Sequence, residues 1–152
     1  MAETATQATR KPRFNHVAMS VPSELLQPAG RKELCDFYGD VFGWQELPTE
    51  TIDGKRLVFG VHHIEQFVFL IADDPPMSCP RLDHFGLSVA TEQELDEILS
   101  RAKAHQAQDP RVEIIDKEVT DHKVLSITSI YVRFLLPMMV EVQWWRFAEG
   151  GR

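Results

Sequence analysis

The sequence predicts an α+β fold built from two tandem βαβββ modules, and three observations predict it. FNHVAMSV at 14–21 and LDHFGLSV at 82–89 are two copies of one segment offset by 68 residues: His, Ser and Val are identical, and the other five positions match in size or polarity. Each copy is followed by an amphipathic helical pattern. Each of those patterns is followed by three strand candidates.

The elements follow in order. In the first copy Val17, Met19 and Val21 alternate with His16, Ala18 and Ser20, so one set faces a packed layer and the histidine faces the other way. The second copy sets His84, Gly86 and Ser88 on the corresponding face. Leu34, Phe37, Tyr38, Val41 and Phe42 fall at helical spacing and Gly43 stands where a C-terminal glycine belongs. Leu95, Ile98, Leu99 and Ala102 repeat that spacing, and Thr91 with Glu94 reads as a capping box. Strands are expected around 44–48, 55–62 and 65–72 in the first half and around 111–117, 127–135 and 139–146 in the second. DDPPMSCPR, 73–81, carries three prolines and reads as the linker between module one (13–72) and module two (82–146). SELLQPAG, 23–30, is extra length in the first half alone. Residues 1–12 read as a disordered tail and 147–152 as a short C-terminal one.

Composition bounds the function. A chain of 152 residues with 43% hydrophobic and 26% charged residues is long and apolar enough for one domain with a real core and no staples. Cys35 and Cys79 form no paired-spacing motif. No apolar run approaches the roughly 20 residues of a membrane span, and the N-terminus has no apolar signal core, so a cytoplasmic protein is expected. A net charge of −7 opposes a broad nucleic-acid footprint and points to small molecules or another chain as partners.

The tandem βαβββ pattern bearing NHVAMSV, DHFGLSV and a late VEV strand, with FYGDVFGW after the first strand, resembles the vicinal oxygen chelate superfamily over about residues 13–146. That superfamily includes glyoxalase I, methylmalonyl-CoA epimerase, extradiol dioxygenases, fosfomycin-resistance enzymes and bleomycin-binding proteins. The resemblance implies a cup-shaped mixed sheet with helices on its outer face and one divalent metal inside. Carried over position by position, it implies His16, His84 and Glu141 as metal ligands. A lone strand histidine is more often structural, but two at equivalent repeat positions, with a carboxylate between Val140 and Val142 that would be costly to bury unpaired, favour a metal.

The fourth ligand position of the family aligns with Val68, which has no donor. A His, His, Glu set leaves open positions on the metal, suiting Fe(II) or Mn(II) and bidentate substrate oxygens or dioxygen. The resemblance then implies a dioxygenase-like enzyme acting on a molecule with vicinal oxygens. Gln66, two residues before Val68, is the alternative fourth ligand, as in a glyoxalase- or epimerase-like isomerase or lyase that would accept Zn(II), Ni(II) or Co(II). RLVFGV, where the epimerase keeps a catalytic glutamate, has no carboxylate. A metal-free drug-binding module is the reading from another class.

Adjacent His62 and His63 are candidates for acid–base catalysis, placed on the third strand where only one can face the cup. Asp121 and His122 are placed in the loop before the seventh strand. Gln143 shares the face of Glu141, and the apolar LLPMM before that strand replaces the family's polar turn. Met139 and Trp145 share the parity of Glu141 and would favour a hydrophobic or aromatic ligand. A homodimer is expected, because an open cup would leave Phe, Met and Trp side chains exposed in a monomer.

Overall fold

The structure is a computed structural model that describes residues 12–148. The expected tails therefore lie almost wholly outside the described residues. Module one runs β1 (His16–Val21), α1 (Pro28–Phe42), β2 (Gln45–Glu46), β3 (Arg56–Gly60) and β4 (Phe67–Ala72). Module two runs β5 (His84–Val89), α2 (Glu92–Gln106), β6 (Glu113–His122), β7 (Leu125–Arg133) and β8 (Met139–Phe147). Each module is one mixed sheet, ordered β1-β4-β3-β2 and β5-β8-β7-β6, in which the first and last strands pair in parallel and the rest antiparallel. The eight strands thus form two sheets, with β1 and β5 at the edges.

The alternation seen in the sequence decides which face is buried. Met19 and Val21 of β1, Val68 and Leu70 of β4 and Leu57 and Phe59 of β3 are buried with Leu34, Phe37, Tyr38 and Val41 of α1. Phe85, Ile130, Val132, Val140 and Val142 do the same with Leu95, Leu99 and Ala102 of α2, and both sets belong to one core cluster. The histidine-bearing faces are those turned away from it. Tyr38 locks the modules together: its hydroxyl donates to the Phe134 carbonyl at 2.9 Å and accepts from the Phe134 N–H at 3.2 Å. Burial holds that phenol in its neutral form, with its pKa well above the usual value.

The extra segment of module one is a 3-10 turn, Ser23–Leu26, laid against the start of α1. Gly30 permits the approach, since a Cβ there would lie 2.7 Å from the Leu25 Cα. Gly43 ends α1 in the left-handed conformation at φ 73°. The linker is tied back to β1 by the Met77 N–H, 2.7 Å from the Ser20 hydroxyl. The Thr91 hydroxyl accepts the Glu94 N–H at 3.2 Å and the Glu94 carboxylate accepts the Thr91 N–H at 3.1 Å, the reciprocal box read from the sequence. Thr91→Ala is expected to cost about 1 kcal/mol of stability, read as a lowered urea midpoint with unchanged slope; no shift would show that the box contributes nothing.

Strand ends depart from expectation in three places. β2 is only two residues long. β3 ends at Gly60, so His62 and His63 fall in the turn to β4. β6 extends to His122 with a register irregularity between Ile115 and Glu118, so Asp121 and His122 are strand residues at the far end of the β6–β7 hairpin. Among the described residues no helix is long and apolar enough to cross a membrane.

Candidate metal centre

Parallel pairing of β5 with β8 sets Gly86 opposite Glu141 and His84 opposite Met139. Both ligand candidates therefore stand on the face that Phe85, Val140 and Val142 do not use. A Cβ on Gly86 would sit 3.5 Å from Glu141 Oε2, so the glycine keeps room around the carboxylate. His84 Nε2 lies 3.3 Å from Glu141 Oε2, with Glu141 only 7% exposed.

The protonation pattern at this pair is informative. His84 Nδ1 is 2.8 Å from the Leu82 carbonyl, which can only accept, so Nδ1 carries a proton. In the neutral imidazole, Nε2 then turns a lone pair toward a carboxylate oxygen. Two acceptors at that distance need a proton or a metal ion between them. A buried carboxylate and an imidazole nitrogen fixed by a carbonyl behind it form a donor set that fits a divalent metal.

Tyr131 of β7 lies opposite Glu141, and its ring meets the His84 ring edge-on at 5.2 Å. Its hydroxyl is pushed up to about 12, first by desolvation and then by the hydrogen bond and charge of Glu141, so it stays a proton donor at neutral pH. The sequence reading missed Tyr131; the signal was its place in a strand antiparallel to VEV. The other oxygen of Glu141 accepts from Gln143 Nε2 at 2.9 Å.

His16 is not gathered with this pair. Its ring stacks on Phe67 at 4.7 Å, and its Nδ1 is 2.8 Å from Asn15 Oδ1, which leaves Nε2 open. His16 lines a cavity of about 380 Å³ between the modules, with Gln66, His62, Trp44 and Phe85. Among the described residues no three His, Cys, Asp or Glu side chains converge as a metal-holding group.

Register corrects the fourth position. Gly86 faces Glu141 in module two, and the matching Ala18 faces Phe69 in module one. Val68 instead pairs with Val17 and is 1% exposed on the core face. The residue matching Glu141 is therefore Phe69, still without a donor. Gln66 precedes β4; its backbone closes the turn to His63 and Val61, and its buried Oε1 has no hydrogen-bond partner among the described residues. His62 and His63 are both exposed, with rings 4.1 Å apart, which corrects their placement on a strand. Met139 is fully buried, whereas Trp145, 42% exposed, lines a second hollow of about 550 Å³ with Gln143, Phe147 and Ser88.

The strand order and the flanking helices give the chain the vicinal oxygen chelate fold. No family model and no curated relative matches the chain. Among solved structures, it is similar to lactoylglutathione lyase from Agrobacterium tumefaciens at 17% identity and a TM-score of 0.59, covering 88% of this chain and 94% of that one. It is also similar to the fosfomycin resistance protein FosX from Listeria monocytogenes, at 16% identity and a TM-score of 0.60 over 91% and 95% of the two chains. FosX from Mesorhizobium loti aligns at 11% identity and a TM-score of 0.57, over 89% and 92%.

Proposed function

We propose that this chain is a metal-dependent enzyme acting on a neutral small molecule with vicinal oxygens, and that His84 and Glu141 of one chain and His16 of a second copy hold one divalent ion in a homodimer. The observation that carries the reading is the facing acceptor pair of His84 and Glu141, with an open His16 Nε2 standing apart from it. A two-fold related copy would bring module one of each chain to module two of the other, giving two equal sites. Exposed Ile71, with Phe14 and Leu82 just ahead of the two histidine strands, supplies apolar surface for that contact. Mixing His16→Ala with His84→Ala tests it: neither variant alone should hold Mn(II), and a re-equilibrated mixture should recover about one ion per heterodimer. A mixture that recovers none overturns the shared site.

The chemistry follows from what lines the site. Phe69 supplies no fourth donor, so the His, His, Glu set leaves exchangeable positions, favouring Fe(II) or Mn(II). No lysine or arginine is found among the described residues lining either cavity, and Trp145 and Phe147 offer aromatic surface. Those features suit a neutral aromatic substrate of catechol type better than a phosphonate or phosphate, and dioxygenase-like chemistry is the first reading. When bound, the metal would supply Lewis acidity toward the vicinal oxygens. Tyr131 would donate a hydrogen bond beside Glu141, and His62 and His63, on the module that carries His16, are the candidates for moving a proton. The likeness to a lactoylglutathione lyase favours an isomerase or lyase as the second reading, served by Zn(II), Ni(II) or Co(II). Oxygen consumption with Fe(II) and a catechol is the expected result; turnover of a hemithioacetal with a redox-inert metal would replace it by the second reading.

A further inference from the structure

We infer that Gln143 and Trp145 form a positioning relay that fixes the Glu141 carboxylate so that a single oxygen, Oε2, is offered to the metal; the inference rests on the metal-site reading above. The three residues stand at alternate positions of β8 and share one face. Trp145 Nε1 lies 2.8 Å from Gln143 Oε1, and an indole N–H can only donate. That bond settles the orientation of the amide: its oxygen is turned to Trp145, so its Nε2 is turned to Glu141, where it donates to Oε1 at 2.9 Å. Oε1 is thereby tied to the Gln143 amide, and Oε2 is the oxygen that faces His84 Nε2 at 3.3 Å.

Burial does not explain the chain of bonds. Trp145 is 42% exposed, so its N–H has access to water and gains little by bonding inward. The strands on either side leave the amide room, since Ser88 of β5 and Ser129 of β7 are the residues opposite Gln143. A carboxylate with one oxygen tied is a one-oxygen ligand with little rotational freedom, and a preset ligand binds metal more tightly than one that must be ordered. Trp145 and Gln143 also line the 550 Å³ hollow, which puts the relay where a bound ring would touch it.

Mn(II) titration by calorimetry of the full chain tests the relay, with His84→Ala as the site control. Gln143→Met, which keeps the shape and removes the amide, should weaken Mn(II) binding about 10- to 100-fold. Trp145→Phe, which removes the N–H from an exposed ring, should weaken it by a smaller factor, and the double variant should bind as Gln143→Met does, since both act through one carboxylate. The visible spectrum of bound Co(II) should change in Gln143→Met, a signature that loss of packing alone would not produce. Mn(II) binding by Gln143→Met equal to wild type, while His84→Ala binds none, overturns the relay and leaves the site standing. If Gln143→Met does not fold, unchanged affinity in Trp145→Phe overturns it instead. A wild-type chain that takes up no Mn(II) removes site and relay together.

Discussion

Replacing His84 by alanine is expected to abolish stoichiometric Mn(II) uptake, a weakening larger than the roughly 100-fold ceiling for a residue behind the ligands. The reason lies in how few donors are available. His84 Nε2 and Glu141 Oε2 are the converging pair within one chain, and no third His, Cys, Asp or Glu among the described residues stands ready to replace either. Alanine leaves Glu141 beside Tyr131 and Gln143 as a lone donor, and one carboxylate does not hold a metal ion against water. Equilibrium dialysis with metal analysis reads the loss directly. A second readout is stability: Mn(II) at 100 times its dissociation constant should stabilise wild type by about 2.7 kcal/mol and His84→Ala by none. Equal Mn(II)-induced shifts in both proteins would show that His84 is no ligand.

Tyr38→Phe is expected to cost about 1–3 kcal/mol of folding stability, a large effect for one oxygen atom. The hydroxyl bonds both the N–H and the carbonyl of Phe134, a residue only 5% exposed; its removal strands the buried N–H, while the carbonyl keeps the Leu136 N–H at 2.8 Å. A stranded buried N–H costs about 1–3 kcal/mol, and phenylalanine regains little because the ring volume is unchanged. Urea denaturation should show a lower midpoint with the same slope. A loss below about 0.5 kcal/mol would mean that Phe134 finds other partners and that the bridge between the modules is incidental.

Much of the fold was legible because burial enforces period. The repeat located β1 and β5, the helical spacing located α1 and α2, and Thr91 with Glu94 marked a cap that is present. What was not legible is register and the length of the turns. Val68 was assigned to the ligand face, but a strand slipped by one residue turns every side chain over, and β4 in fact presents Phe69 there. The same cause moved His62 and His63 off their strand, since β3 ends at Gly60. Whether His16 joins His84 and Glu141 within a chain depends on how the two sheets are set, and no local pattern encodes that. Gln143 and Trp145 were within reach: together with Glu141 they form a polar-tipped file on one face of a strand whose other face is Val140, Val142 and Trp144.

The two repeats differ at one matching strand position, Glu141 in module two and Phe69 in module one. Module two carries the facing His84 and Glu141 with Gln143 and Tyr131 beside them, so on the proposed reading substitutions there should alter metal binding. In module one the paired strands β1 and β4 carry one histidine, His16, with Phe67 stacked on its ring and Phe69 two places along. A substitution in that sheet away from His16 leaves the carboxylate and its partners in place, since Glu141, Gln143 and Tyr131 all belong to module two.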